Sequence, residues 1–133
     1  MLSKEDNELL CRVGPGTPMG QLMRQYWLPA LPSSEFAEAD GPAKRMRLLG
    51  ENLVMFRDTG GNLGALAEAC PHRGASLYFG RYEECGLRCS YHGWKFDIRG
   101  TAWTFQPNPM NSEDDHFRQR LKPRPIRVGT LTT

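Results

Sequence analysis

Histidine is scarce, with three residues in 133, and neither sign of charge dominates: 17 Lys and Arg stand against 15 Asp and Glu. A near-balanced charge gives no electrostatic argument for nucleic acid. No apolar run approaches the ~20 residues that a membrane helix needs. The opening MLSKEDNELL is acidic and lacks the apolar stretch of a secretory signal. A cytoplasmic, reducing location with no membrane and no nucleic-acid partner is therefore expected. Four cysteines could pair into two disulfides, but a reducing location disfavours that use. The length leaves room for one domain and little more.

What is present divides in two. Ser3 with Asp6 suggests a capping box opening a short helix to about Cys11. Thr17 followed by Pro18 is an N-cap and first-turn pair for a second helix over 18–26, with Leu22, Met23, Tyr26 and Trp27 as its apolar side. From there to Pro42 the chain reads as an extended connection. After Pro42 short strands take over: 45–49, 53–58, the TGGN turn at 59–62, the segment leading to Cys70, then 86–90, 94–98, a turn at Arg99-Gly100 and 101–106. Such a series predicts a mainly β fold, a small antiparallel sandwich or barrel, preceded by a short helical segment.

Two loops carry the chemistry. CPHRG at 70–74 and CSYHGW at 89–94 each place one cysteine and one histidine beside a glycine. Cys70, His72, Cys89 and His92 are the candidate metal ligands. Zinc accepts two thiolates and two imidazoles as a tetrahedral site. Zinc knuckles, however, pair cysteine with cysteine, whereas here each loop holds one of each. That mixture suits a [2Fe–2S] cluster with unlike ends, two cysteines on one iron and two histidines on the other. Thiolate keeps its iron ferric, so an added electron belongs on the histidine side. Cys11 and Cys85 have no neighbouring histidine and read as spare thiols.

Cys70-Pro71-His72-Arg73-Gly74 and Cys89-Ser90-Tyr91-His92-Gly93-Trp94-Lys95-Phe96, with 16 residues between His72 and Cys89, resemble the cluster loops of Rieske proteins. More closely they resemble the Rieske domain of ring-hydroxylating oxygenase large subunits of the phthalate-dioxygenase and O-demethylase kind. GPGTPMGQLMRQYWLPAL resembles the lead-in of those subunits. The resemblance implies a Rieske sandwich with Cys70 and Cys89 on one iron and His72 and His92 on the other. It also implies a flavin or ferredoxin-type NAD(P)H reductase as electron donor, and homotrimers in full-length subunits. It divides the chain into a lead-in over 1–41 and a Rieske domain over 42–133.

Against respiratory Rieske proteins, Ala75 and Tyr91 stand where extra disulfide cysteines would be, and Trp94 where a serine would donate to the cluster. A low potential is then expected, nearer about −150 mV than +300 mV. Tyr91 and Trp94 read mainly as covering aromatics. Gly74 and Gly93 read as turn glycines, and Arg73 as an exposed arginine that could meet an acidic partner.

A complete oxygenase of that family adds a mononuclear iron held by two histidines and a carboxylate. With His72 and His92 used, His116 beside Asp114 and Asp115 cannot supply it. That catalytic domain, and with it the mononuclear iron, is expected outside this chain. The Rieske domain is expected to be incomplete at its C-terminal side, with KPRPIRVGTLTT resembling the start of a strand that returns to the sheet. The late basic residues Arg118, Arg120, Lys122, Arg124 and Arg127 read as a solvated segment. Two other readings stand beside this one: a self-standing Rieske electron carrier, and a structural zinc module.

Overall fold

The computed structural model describes residues 1–103 and 125–126. The N-terminal segment begins with α1 (Lys4–Cys11), where the Ser3 side chain accepts the Asp6 N–H at 3.0 Å as the capping pattern requires. Thr17 accepts from Gly20 N–H at 3.2 Å and caps α2 (Pro18–Met23). This helix ends three residues earlier than the sequence pattern suggests. Its expected apolar side is not buried either: Leu22, Tyr26 and Trp27 are exposed, and Gly20 is its buried residue. Arg24 gives the reason. Its guanidinium reaches the carbonyls of Val13, Gly20 and Leu49 and the carboxylate of Glu51, so the segment is fixed to the first hairpin by polar contacts.

The stretch expected to be extended contains a 3₁₀ turn, Ser33–Phe36, that buries Phe36. Phe36 packs on Met55 and Ala65, and its carbonyl accepts from Arg57 Nε at 2.6 Å. A single large side chain supplies this anchor, which is why no periodicity announces it.

Two antiparallel sheets follow. The first comprises β1 (Lys44–Leu48), β2 (Glu51–Arg57), β3 (Leu63–Ala67) and β8 (Pro125–Ile126), in the order β1-β2-β3-β8. The second comprises β4 (Arg81–Glu83), β5 (Gly86–Arg88), β6 (Lys95–Phe96) and β7 (Ala102–Trp103), in sequence order. Val54, Phe56 and Leu66 from the first sheet meet Leu87, Phe96 and Ala102 from the second in one core, with Leu77 between them. Alternation along β2 sends Val54 and Phe56 inward, while Met55 faces the cluster around Phe36. All four residues 53–56 are consequently buried. The outer strand β1 carries Lys44, Arg45 and Arg47, charges that discourage pairing with another chain.

The strand expectations at 45–49, 53–58 and 63–69 correspond to β1, β2 and β3. β4 was not foreseen. It pairs with β5 through a two-residue turn, Glu84-Cys85, with φ of 47° and 61°. That conformation favours Asn or Gly, so an acid and a cysteine there hide the hairpin from sequence reading. Pro125 pairs with Leu66 and Ile126 with Ala65, placing β8 where the resemblance expects a returning strand. The acidic and basic residues of 113–124, Arg127 and His116 lie outside the described residues.

Candidate metal centre

The two loops are built alike. In the first, the Cys70 N–H donates to the Ala75 carbonyl at 2.8 Å and the Gly74 N–H to the Cys70 carbonyl at 2.7 Å. In the second, the Cys89 N–H donates to Trp94 at 2.8 Å and the Gly93 N–H to Cys89 at 3.0 Å. Each cysteine thus opens a tight turn that a glycine with φ of 73° closes, Gly74 in one loop and Gly93 in the other. A side chain other than glycine is strained there. The first loop is bracketed by the Ala69–Ser76 bridge, and the second leaves β5 and enters β6.

The sequence-predicted ligands meet as two pairs, Cys70 with Cys89 and His72 with His92. Cys70 and Cys89 are 3% and 2% exposed and belong to the main core. Burial pushes the Cys70 thiol up to about 11; the His72 amide opposes the shift, and Cys89 beside it adds to it. His72 is half-buried and His92 exposed. Their rings meet edge to face, centroids 4.6 Å apart. Although His92 is exposed, partial loss of hydration at its ring, followed by the nearby charges of His72 and Arg73, lowers its affinity for a proton.

Two aromatics frame the histidines. The Tyr91 ring lies 3.9 Å from that of His92, and Trp94 lies 6.0 Å from His72. Trp94 also packs against the core, whereas Tyr91 is 59% exposed. The covering role expected for both therefore falls mainly to Trp94.

Two observations test whether these residues fit a metal group. The Nδ1 atom of His72 is buried without a hydrogen-bond partner. A buried polar atom is ordinarily paired, and a bare imidazole nitrogen beside a second histidine is suited to a ligand. The buried free thiols of Cys70 and Cys89 supply the other donor type. The donors are arranged as a thiol pair inside and an imidazole pair outside. Among the described residues no three His, Cys, Asp or Glu side chains gather closely enough to hold one ion. One thiol pair and one imidazole pair are the donor types of a two-iron cluster with unlike ends.

Cys11 and Cys85 are exposed free thiols. Sequence reading missed the residues that hold the second loop. The Nη1 atom of Arg88 donates to the Gly93 carbonyl at 2.8 Å, and Arg88 Nε is bonded to the Glu83 carboxylate. The position of Arg88 directly before Cys89 was the available signal. On the first loop, Ser76 Oγ donates to Glu68 at 2.6 Å, and Arg45 pairs with the same carboxylate.

Comparison with known proteins points to one family. The family model for the Rieske [2Fe-2S] domain matches residues 26–117. The chain is 59% identical to the 3-chlorobenzoate-3,4-dioxygenase oxygenase subunit of Comamonas testosteroni, across 92% of this chain and 27% of that protein. It is 51% identical to the phthalate 4,5-dioxygenase oxygenase subunit of Pseudomonas putida, across 84% and 26% respectively. It is 49% identical to the 5,5'-dehydrodivanillate O-demethylase oxygenase subunit of Sphingobium sp. (strain NBRC 103272 / SYK-6), across 96% and 30%. The chain therefore spans less than a third of the length of these relatives. A crystal structure of dicamba monooxygenase bound to dicamba superposes with a TM-score of 0.65 at 29% identity, over 80% of this chain and 31% of that one.

Proposed function

The chain belongs to the Rieske [2Fe–2S] family, and from that premise we propose that it works as the one-electron relay of an oxygenase subunit. Cys70 and Cys89 would hold one iron, and His72 and His92 the other. When bound, such a cluster supplies a centre that gains and loses a single electron. The chain's own residues give it direction. The buried thiols anchor it in the core, while the exposed His92 and half-buried His72 form the edge through which a partner is reached. Trp94 keeps water from the His72 side.

The single observation that supports this most is the meeting of the His72 and His92 rings from separate loops, each of which also carries a buried free thiol. An NAD(P)H-linked reductase, flavin or ferredoxin in type, is the proposed electron donor. Delivery to a mononuclear iron site is proposed as the use of the electron, within a ring-hydroxylating or demethylating subunit that assembles as a trimer. The lead-in over 1–41 and the Rieske unit from 42 are the proposed parts. Among the described residues no helix is long and apolar enough to cross a membrane.

A dye-mediated redox titration of the cluster-loaded chain tests the relay. A one-electron transition toward the low end of the range from about −150 to +300 mV is expected. Zinc without iron or sulfide would instead favour the structural-module reading, and a transition near the upper end would contradict the oxygenase reading.

A further inference from the structure

Arg88 immediately precedes Cys89, and its side chain reaches over the loop to the carbonyl of Gly93, immediately after His92, at 2.8 Å. One side chain thus closes the loop that holds both proposed ligands. Behind it, Arg88 Nε is bonded to Glu83. The register explains the contact: Glu83 faces Gly86, two residues before Arg88, so the two side chains are diagonal neighbours on one face of the β4–β5 ladder. The Arg88 side chain is 15% exposed and that of Glu83 41%. The guanidinium is largely withdrawn from water, so its charge is weakly screened where it touches the loop. On the first loop the Arg45 pair acts differently, bonding the side chains of Glu68 and Ser76.

We propose that Arg88 and Glu83 form a clamp of opposite charges that positions the second ligand loop and sets how readily the bound cluster accepts an electron. The proposal rests on the relay reading above and adds two positioning residues to it. Reduction adds one negative charge to the cluster. The Arg88 cation, hydrogen-bonded beside His92, favours that charge. The Glu83 carboxylate behind it partly cancels the effect. Removing either charge therefore shifts the potential in opposite directions. A clamp that only held the loop in place would give no such opposition, since both losses would loosen the same peptide.

The test is the midpoint potential of the cluster-loaded 133-residue chain and of Glu83→Gln, Arg88→Gln, Arg88→Lys and the double glutamine variant. Gln at 83 keeps an acceptor for Arg88 Nε, so its effect isolates charge. Arg88→Gln is expected to lower the potential and Glu83→Gln to raise it, with the double variant near the parent and Arg88→Lys recovering most of the loss. Shifts in the same direction, or none, would overturn the clamp. If Arg88→Gln takes up no cluster, Glu83→Gln decides alone, and a potential at or below the parent's overturns it. A parent chain that takes up no cluster overturns the relay reading and this one with it; a loaded parent with unresponsive variants overturns this one only.

Discussion

The rings of His72 and His92 meet edge to face, 4.6 Å between centroids, although they come from separate loops. The free thiols of Cys70 and Cys89 are buried, at 3% and 2% exposure, whereas His92 is exposed. The order thiol, imidazole, solvent makes the site polar in the electron-transfer sense: an anchored inner end and an accessible outer one. Both loops repeat one hydrogen-bond pattern, so the site is two copies of a single turn facing each other.

Cys89→Ala should abolish cluster uptake. The residue is buried in the core and opens the second loop, and ligand binding is coupled to folding where ligands come from separate loops. Iron and sulfide analysis should fall to background, and amide exchange over 89–94 should accelerate. Retained colour with an unchanged melting temperature would contradict the coupling.

Gly93→Ala should destabilise the protein by about 1–2 kcal/mol, the cost of a left-handed residue that carries a Cβ. The added methyl would meet Arg88 Nη1 at 3.7 Å, an ordinary contact, so the loss is one of backbone conformation. Denaturant unfolding measures it. A stability equal to the parent's would show that the loop relaxes freely.

How far the sequence discloses this molecule follows from what kind of signal each part emits. The loops are legible because ligand chemistry restricts residue type and spacing at Cys70, His72, Cys89 and His92. β2 and β3 are legible because TGGN marks their turn. β4 is not, since Glu84-Cys85 adopts positive φ without the usual residues. Nor is the packing of Phe36, an isolated anchor with no repeat. The apolar residues of α2 mislead for a physical reason: Arg24 holds the segment through carbonyls and Glu51, leaving Leu22 and Trp27 in solvent. The Arg88 clamp depends on a diagonal across a ladder, which exists only once β4 is paired.

Phe96→Ala should cost about 3–5 kcal/mol, as expected for truncating a fully buried phenylalanine. Phe96 is 0% exposed and shares the core with Leu87 and both buried cysteines. The cavity would open in the core cluster that includes both cysteines. Thermal unfolding should show the loss, and the cluster-loaded form should release iron to a chelator faster than the parent. A drop below about 1 kcal/mol would mean the core collapses around the gap.

Acid should weaken the Glu83–Arg88 contact. The hydrogen bond from Arg88 holds the Glu83 carboxyl below its ordinary value of 4.5. A carboxyl depressed in the folded state contributes stability that is fully present above its unfolded value. That contribution is lost as pH falls through the lower folded value. Glu83→Gln should therefore remove part of the acid sensitivity below about pH 4.5 and be near neutral in its effect on the slope above it. Unfolding midpoints of both proteins across that window check the sign; a steeper acid loss in the variant would contradict it.

The most direct test of the relay is visible and low-temperature EPR spectroscopy of the 133-residue chain reconstituted with iron and sulfide, before and after dithionite. The account predicts a coloured protein whose reduced form gives the one-electron signal of a cluster with mixed thiolate and imidazole ligands, lost in His92→Ala. A colourless or zinc-loaded protein, or a signal indifferent to His92, would contradict it.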